Sequence, residues 1–166
     1  RFYILGHYYS GVTREIDKAL ETYELWKQTY PRDPVPHINS GTLYSQRGDA
    51  ERAIQAYSKA IEIDPGRRIA YSNLVAKYIE LDRLDEARKI LDQQVQNLGE
   101  SPEAQFKFYE IAIRQNDRAA ADRYAALLEK GPLAAGVLAL RSAELGYAGR
   151  IRESRQLTDR YVEALR

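Results

Sequence analysis

The sequence predicts an all-α fold, an α-solenoid of about five stacked helix-turn-helix units in a right-handed superhelix. Three observations predict it: a 34-residue period, apolar residues at helical spacing inside each period, and no alternating strand pattern anywhere. Paired-helix units of this size bury their apolar faces only by stacking on neighbours.

The period is read directly. Ala19, Ala53, Ala87 and Ala121 lie 34 residues apart, as do Tyr23, Tyr57, Leu91 and Ala125. Ser10, Tyr44, Tyr78 and Ala112 form a third register, and Pro31 and Pro65 a fourth. The expected organisation is a single array over 1–166, with units at 1–33, 34–67, 68–101, 102–133 and 134–166.

The first unit carries Ala19, Tyr23 and Pro31 on register, with His7 where the second unit has Gly41 and Trp26 where it has Ala60. Asp33-Pro34 reads as an N-cap and first-turn proline opening the second unit. That unit has Gly41, Tyr44, Ala53, Tyr57 and Ala60, a turn at "RGDA", and Asp64-Pro65-Gly66 as a stop. In the third, "IAYSNLVAKYIEL" puts Ile69, Leu74, Val75, Tyr78 and Ile79 about one face. After the break "LDRLD", Ala87, Ile90, Leu91, Val95 and Leu98 line another. Ser101-Pro102 opens the fourth unit, which holds Phe108, Tyr109 and Ala121 around the break "QNDR". Gly48 and Asn116 suit the left-handed residue that ends a helix, and Asp49 and Asp117 the N-cap that follows. Gly131-Pro132 stops the fourth unit. The fifth runs from about Leu133, with a turn near Gly149 and a second helix from Arg150 to Arg166.

The small and large residues have a packing reason. Helices approach to about 8–10 Å only where one side presents Gly or Ala. Gly41 and Ala53 are the expected close contact, with Tyr44 and Tyr57 filling the wider space beside it.

Composition narrows the function classes. With 25 basic and 24 acidic residues, the net charge of +1 gives no pull toward nucleic acid or anionic lipid. Cys is absent, which removes disulfides and thiolate metal sites. No apolar run is long enough to span a bilayer, and no signal peptide opens the chain. The absence of Met, even at position 1, reads as a piece of a longer chain, whose compartment stays open between cytoplasmic and extracytoplasmic.

Gly41, Tyr44, Ala53, Tyr57, Ala60 and Pro65 stand at the signature positions of the tetratricopeptide repeat family, which the second unit resembles best. The resemblance implies a protein-interaction scaffold without chemistry of its own. A narrower one rests on "DKALETYELWKQTYPRDPVPHINSGTLYSQRGDAERAIQAYSKAIEIDP" with "AYSNLVAKYIELDRLDEA". These stretches are similar to the C-terminal repeat region of bacterial eukaryotic-like serine/threonine protein kinases, especially acidobacterial ones. The chain itself lacks a glycine-rich phosphate loop, "HRD" and "DFG", so any kinase domain would belong to a parent protein.

No residue set supports catalysis, and no cofactor or metal is expected. His7 and His37 have no ligand spacing and read as packed residues. Serines lack a nucleophile context, and "GHYYSG" lacks phosphate-loop spacing. Of the 13 tyrosines, Tyr23, Tyr44, Tyr57, Tyr71 and Tyr78 fall on packing registers, which favours core over base stacking. Trp26 is left either filling a gap or serving as an exposed contact.

In the resembled family, ligands lie along the first helices. The resemblance therefore places a peptide groove at Tyr8, Ile38, Asn39, Thr42, Ser72, Asn73, Ala76, Ile79, Phe106, Glu110 and Ile113. Gly11, Ser45, Ile69, Gly136, Ala139 and Ala143 continue it. Some tetratricopeptide proteins clamp acidic C-terminal peptides with Lys, Arg and Asn. Here Ile4, Tyr8, Ser72 and Ala76 occupy the clamp positions, which argues against a chaperone-tail receptor. The expected partner is an extended or helical segment with apolar anchors. The alternative is a structural spacer or a self-associating module, including a homodimer.

Overall fold

The structure, a computed structural model, describes residues 1–128 and 131–164. The predicted end of the fifth unit at Arg166 lies outside the described residues. Every regular element among them is helical, and the helices pair off along the chain as ten α-helices in five hairpins. The chain divides into two compact units, Arg1–Leu98 and the residues from Gly99 onward.

The first unit holds α1 (Phe2–His7), α2 (Ile16–Thr29), α3 (Val35–Gln46), α4 (Ala50–Ile63), α5 (Arg68–Glu80) and α6 (Leu84–Leu98). Asp49 caps α4 by accepting from the Arg52 amide at 3.1 Å, as its position predicts. Gly48 takes φ +77, and the Asp49 amide closes the turn onto the Tyr44 carbonyl at 2.9 Å. The same closure joins Arg83 to Tyr78, with Asp82 in the left-handed conformation, a place where sequence alone shows no glycine. Asp33 differs from expectation. Pro34 is the N-cap of α3, and Asp33 sits one residue out, accepting from the Val35 amide at 2.9 Å and from the Trp26 indole at 3.0 Å. Its second oxygen is taken by the preceding hairpin, which locks α2 to the start of α3. Trp26 is therefore packed rather than displayed, its ring stacked on Phe2.

Two glycines show why the hairpins close. A Cβ at Gly41 would stand 2.7 Å from Cε1 of Tyr57, so the ring lies directly on the α3 backbone. Tyr57 thus covers Gly41 itself rather than filling space to one side, while Ala53 is fully buried next to it. In the first hairpin the ring is Tyr23, and the residue beneath it is Gly6, which a Cβ would drive into that ring. The 34-residue register assigns His7 to this place, and the structure corrects it by one. From Gly41 to the left-handed Gly48 is seven residues, whereas from Gly6 to the left-handed Arg14 is eight. The extra residue is taken up by a π-helical turn, Tyr8–Val12, closed by the Thr13 amide on the Tyr8 carbonyl at 3.0 Å.

Buried side chains join successive hairpins of this unit. Leu43 of α3 packs in one cluster with Ala19, Tyr23 and Trp26 of α2. Leu74 of α5 joins Ala53, Tyr57 and Ala60 of α4. Burying such a leucine contributes roughly 1.5–3 kcal/mol.

The second unit holds α7 (Pro102–Arg114), α8 (Arg118–Leu128), α9 (Ala134–Tyr147) and α10 (Ile151–Ala164). Ser101 caps α7 and Asp117 caps α8, accepting from the Ala104 and Ala120 amides at 3.2 and 3.0 Å. Asn116 and Gly149 are the left-handed turn residues, so the last hairpin repeats at 33 rather than 34. Its second helix starts at Ile151, one residue later than expected.

Two register positions trade identities here. The place of Gly41 is held by Tyr109 and that of Tyr57 by Ala125, both within one buried cluster. In the last hairpin the same two places are Ser142 and Thr158. Their hydroxyls meet at 2.7 Å, and Ser142 also donates to the Ser154 carbonyl at 2.8 Å.

Candidate functional site

Within the first unit α3 and α5 are flanked by neighbouring helices, so each has only a narrow strip left to present. Along α3 the residues Pro36, Ile38, Ser40, Gly41 and Leu43 are buried, and along α5 Ala70, Tyr71, Leu74, Val75, Lys77 and Ile79. The middle of each strip is neutral, with Asn39, Thr42 and Ser45 on α3 and Ile69, Ser72, Asn73 and Ala76 on α5, while Arg68 and Glu80 stand at the two ends of α5. The second helices differ. Glu51, Arg52, Lys59 and Glu62 stand exposed on α4, and Asp85, Lys89 and Asp92 on α6.

The residues expected to line a groove fall into three groups. Ile38 and Ile79 are 7% and 3% exposed and pack into the core. Asn39, Thr42, Ser72 and Asn73 are half-buried, and Ala76 is exposed. Thr42 donates to the Ile38 carbonyl at 3.1 Å and accepts from the Tyr57 hydroxyl at 3.4 Å, while Ser72 donates to the Arg68 carbonyl at 3.1 Å. Both hydroxyls keep acceptor capacity. The Nδ2 of Asn39 is buried without a partner. Tyr8 opens the π-helical turn and is 48% exposed, with Ile4 at 74%.

The remaining three lie in the second unit. The Phe106 ring covers Gly136, where a Cβ would come within 2.8 Å, so α9 crosses α7 closely there. Glu110 is held by Lys107 at 2.8 Å and approached by Arg114 at 4.0 Å. Ile113 packs on the Tyr109 cluster.

Electrostatics reinforce the packing roles of the aromatic residues. Burial pushes the Tyr57 hydroxyl above the usual tyrosine range, Thr42 draws it back, and the Glu80 charge raises it again. Burial raises the Tyr23 hydroxyl above the usual tyrosine range, and the nearby polar groups of Ser10 and Asn39 draw it back. Burial, with a smaller push from Lys27, lowers His37. Among the described residues, no three His, Cys, Asp or Glu side chains gather as a metal site.

Sequence reasoning missed Lys77. It stands 34 residues after Leu43 and 34 before Ile111, both buried, and its own side chain is 5% exposed. Its ammonium reaches Glu80 at 2.6 Å. The signal was available in the register: a cation standing between the buried Leu43 and Ile111.

The comparisons with known proteins agree with this architecture. Residues 44–106 match the model of a family described as tetratricopeptide repeat. A curated relative, TPR repeat-containing protein MJ1428 of Methanocaldococcus jannaschii, is 27% identical over 115 residues, 64% of this chain and 20% of its own length. Both comparisons carry the tetratricopeptide repeat name. A tetratricopeptide repeat protein from Parabacteroides merdae has the same fold, with a TM-score of 0.82 at 16% identity over 98% of this chain and 63% of that one. YrrB, described as a tetratricopeptide repeat protein with an unusual peptide-binding site, gives 0.65 at 19% identity, over 87% of this chain and 75% of its own. The chain thus spans a fifth of the curated relative and less than two thirds of the Parabacteroides protein. Among the described residues no helix is long and apolar enough to cross a membrane.

Proposed function

We propose that this tetratricopeptide repeat chain is a protein–protein interaction module that holds a peptide or helical segment along its first helices. The observation that carries this reading is the contrast between the helix layers of the first unit. A spacer has no need to keep one layer neutral, yet Asn39, Thr42, Ser45, Ser72, Asn73 and Ala76 form an uncharged strip beside heavily charged second helices. Amide and hydroxyl groups on a rigid helix suit a peptide backbone, and the neighbouring Ile69, 54% exposed, suits an apolar anchor. The binding site described for YrrB supports the idea at the level of the fold alone.

The 34-residue register runs on from Ala87 to Ala121, which supports one array of five units along the chain. The wording shared with kinase repeat regions supports a place in a bacterial kinase-like signalling protein, and that support comes from sequence only. Self-association is the second reading; the apolar residues Ile4, Tyr8 and Val12, all exposed on α1 and its π turn, favour it.

The test is a peptide-display selection on the intact chain, followed by affinity measurement on Thr42→Arg with Ala76→Arg. These positions lie outside the core, so helix content should hold while the affinity of selected peptides falls at least about tenfold. Selected peptides that bind the double variant unchanged would remove the strip as the site. A concentration-dependent dimer with no selected peptide would favour self-association instead.

A further inference from the structure

The last hairpin is attached to α8 differently from the joints within the first unit. At the stacking positions where α3 puts Leu43 onto α2 and α5 puts Leu74 onto α4, α9 carries Glu144 and Arg141. Both reach back to α8 as ions: Arg141 to Asp122 at 2.9 Å, and Glu144 to Arg118. Three of these four side chains are largely exposed; only Glu144, at 19%, is sheltered. Apolar packing lies in the first half of α9, where Val137 and Leu140 meet the Tyr109 cluster and Gly136 lies under Phe106. Beside the ion pairs, a cavity of about 90 Å³ opens among Ala125, Val137, Leu138, Arg141 and Leu157. Ala125 stands in the column that carries tyrosine in the first two hairpins, so this side of α8 presents a small residue to the space.

We propose that α9–α10 is an electrostatically latched hairpin, released from α8 as a unit when its ion pairs are screened or competed for. Exposed ion pairs weaken as salt shortens the reach of charge, whereas the leucine joints of the first unit do not. The hairpin keeps its own internal order on release, because Ser142, Ser154 and Thr158 bond α9 to α10 independently of α8. Release opens the side of Ala125 that borders Val137 and Leu138 of α9. The latch therefore couples the ionic surroundings to the attachment of the last hairpin.

Hydrogen exchange of the intact chain tests this, comparing about 0.05 M with about 1 M NaCl, a change that cuts the screening length several-fold. Protection along α8 and at the start of α9 should fall about tenfold or more in high salt, while α3 to α5 hold theirs. In Arg141→Leu with Glu144→Leu, protection should rise and lose its salt dependence. Asp122→Lys, which sets a cation against Arg141, should open the joint at low salt, and adding Arg141→Glu should close it again. Salt-independent protection in the unaltered chain, or the same salt response in the leucine variant, would overturn the latch. Failure of Arg141→Glu to reverse Asp122→Lys would overturn it equally.

Discussion

The α3–α4 and α7–α8 hairpins solve one packing problem in opposite ways. In the first, glycine on the first helix lies beneath a tyrosine from the second; in the other, the tyrosine is on the first helix and alanine on the second. What these two hairpins share at the two positions is one ring beside one small residue, whichever helix carries the ring. The exchange has a polar consequence. Tyr57 donates to Thr42, whereas the Tyr109 hydroxyl is buried without a partner.

The largest test of this comparison transplants one solution into the other. Gly41→Tyr alone should cost more than about 3 kcal/mol, because it forces a second ring into occupied space. Tyr57→Ala alone should cost about 3–5 kcal/mol by leaving a cavity. Together they recreate the α7–α8 pair, and denaturant unfolding should reveal a favourable coupling of about 1–3 kcal/mol. Additive losses would show that volume exchange is not the rule.

A smaller effect sharpens the polar difference. Tyr109→Phe removes an orphaned hydroxyl and should stabilise the chain by about 1 kcal/mol, whereas Tyr57→Phe breaks a bond and should not. Equal shifts in midpoint for the two variants would mean that Tyr109 finds a partner in solution.

The smallest effect is alkaline. Burial raises Tyr57 and Tyr109 above the free tyrosine value of about 10, so the fold favours their neutral forms. Their contribution is complete below that pH and is lost as pH rises through the folded values. Removing either hydroxyl should therefore soften the fall in stability above about pH 10, as read from unfolding midpoints across that range. A fall of unchanged steepness in both variants would assign the alkaline limb to other groups.

Much of this architecture was legible in the chain, because a repeated element states its packing several times. Gly48, Asn116, Asp49, Asp117 and Ser101 announced the turns and caps through local chemistry that needs no tertiary partner. Asp82 and Arg14 were hidden, since their left-handed backbone is imposed by the closing hydrogen bonds and not by the residue. The candidate strip was legible only in part. Spacing placed Asn39 and Thr42 beside Ile38, but not which of them the neighbouring hairpin would cover. Lys77 and Arg141 were visible as charges in the columns that bury Leu43 and Leu74, and only their partners gave them meaning.

The π-helical turn at Tyr8–Val12 carries a lesson about length. The ring of Tyr23 dictates where the glycine must be, and the left-handed Arg14 dictates where α2 can begin, while the stretch between them is free to hold one residue more. An insertion that would rotate every later side chain of an ordinary helix is absorbed within a single widened coil. The chain can therefore gain or lose a residue between two fixed anchors without its contacts losing their place, much as an expansion gap lets a rail lengthen without moving its stations.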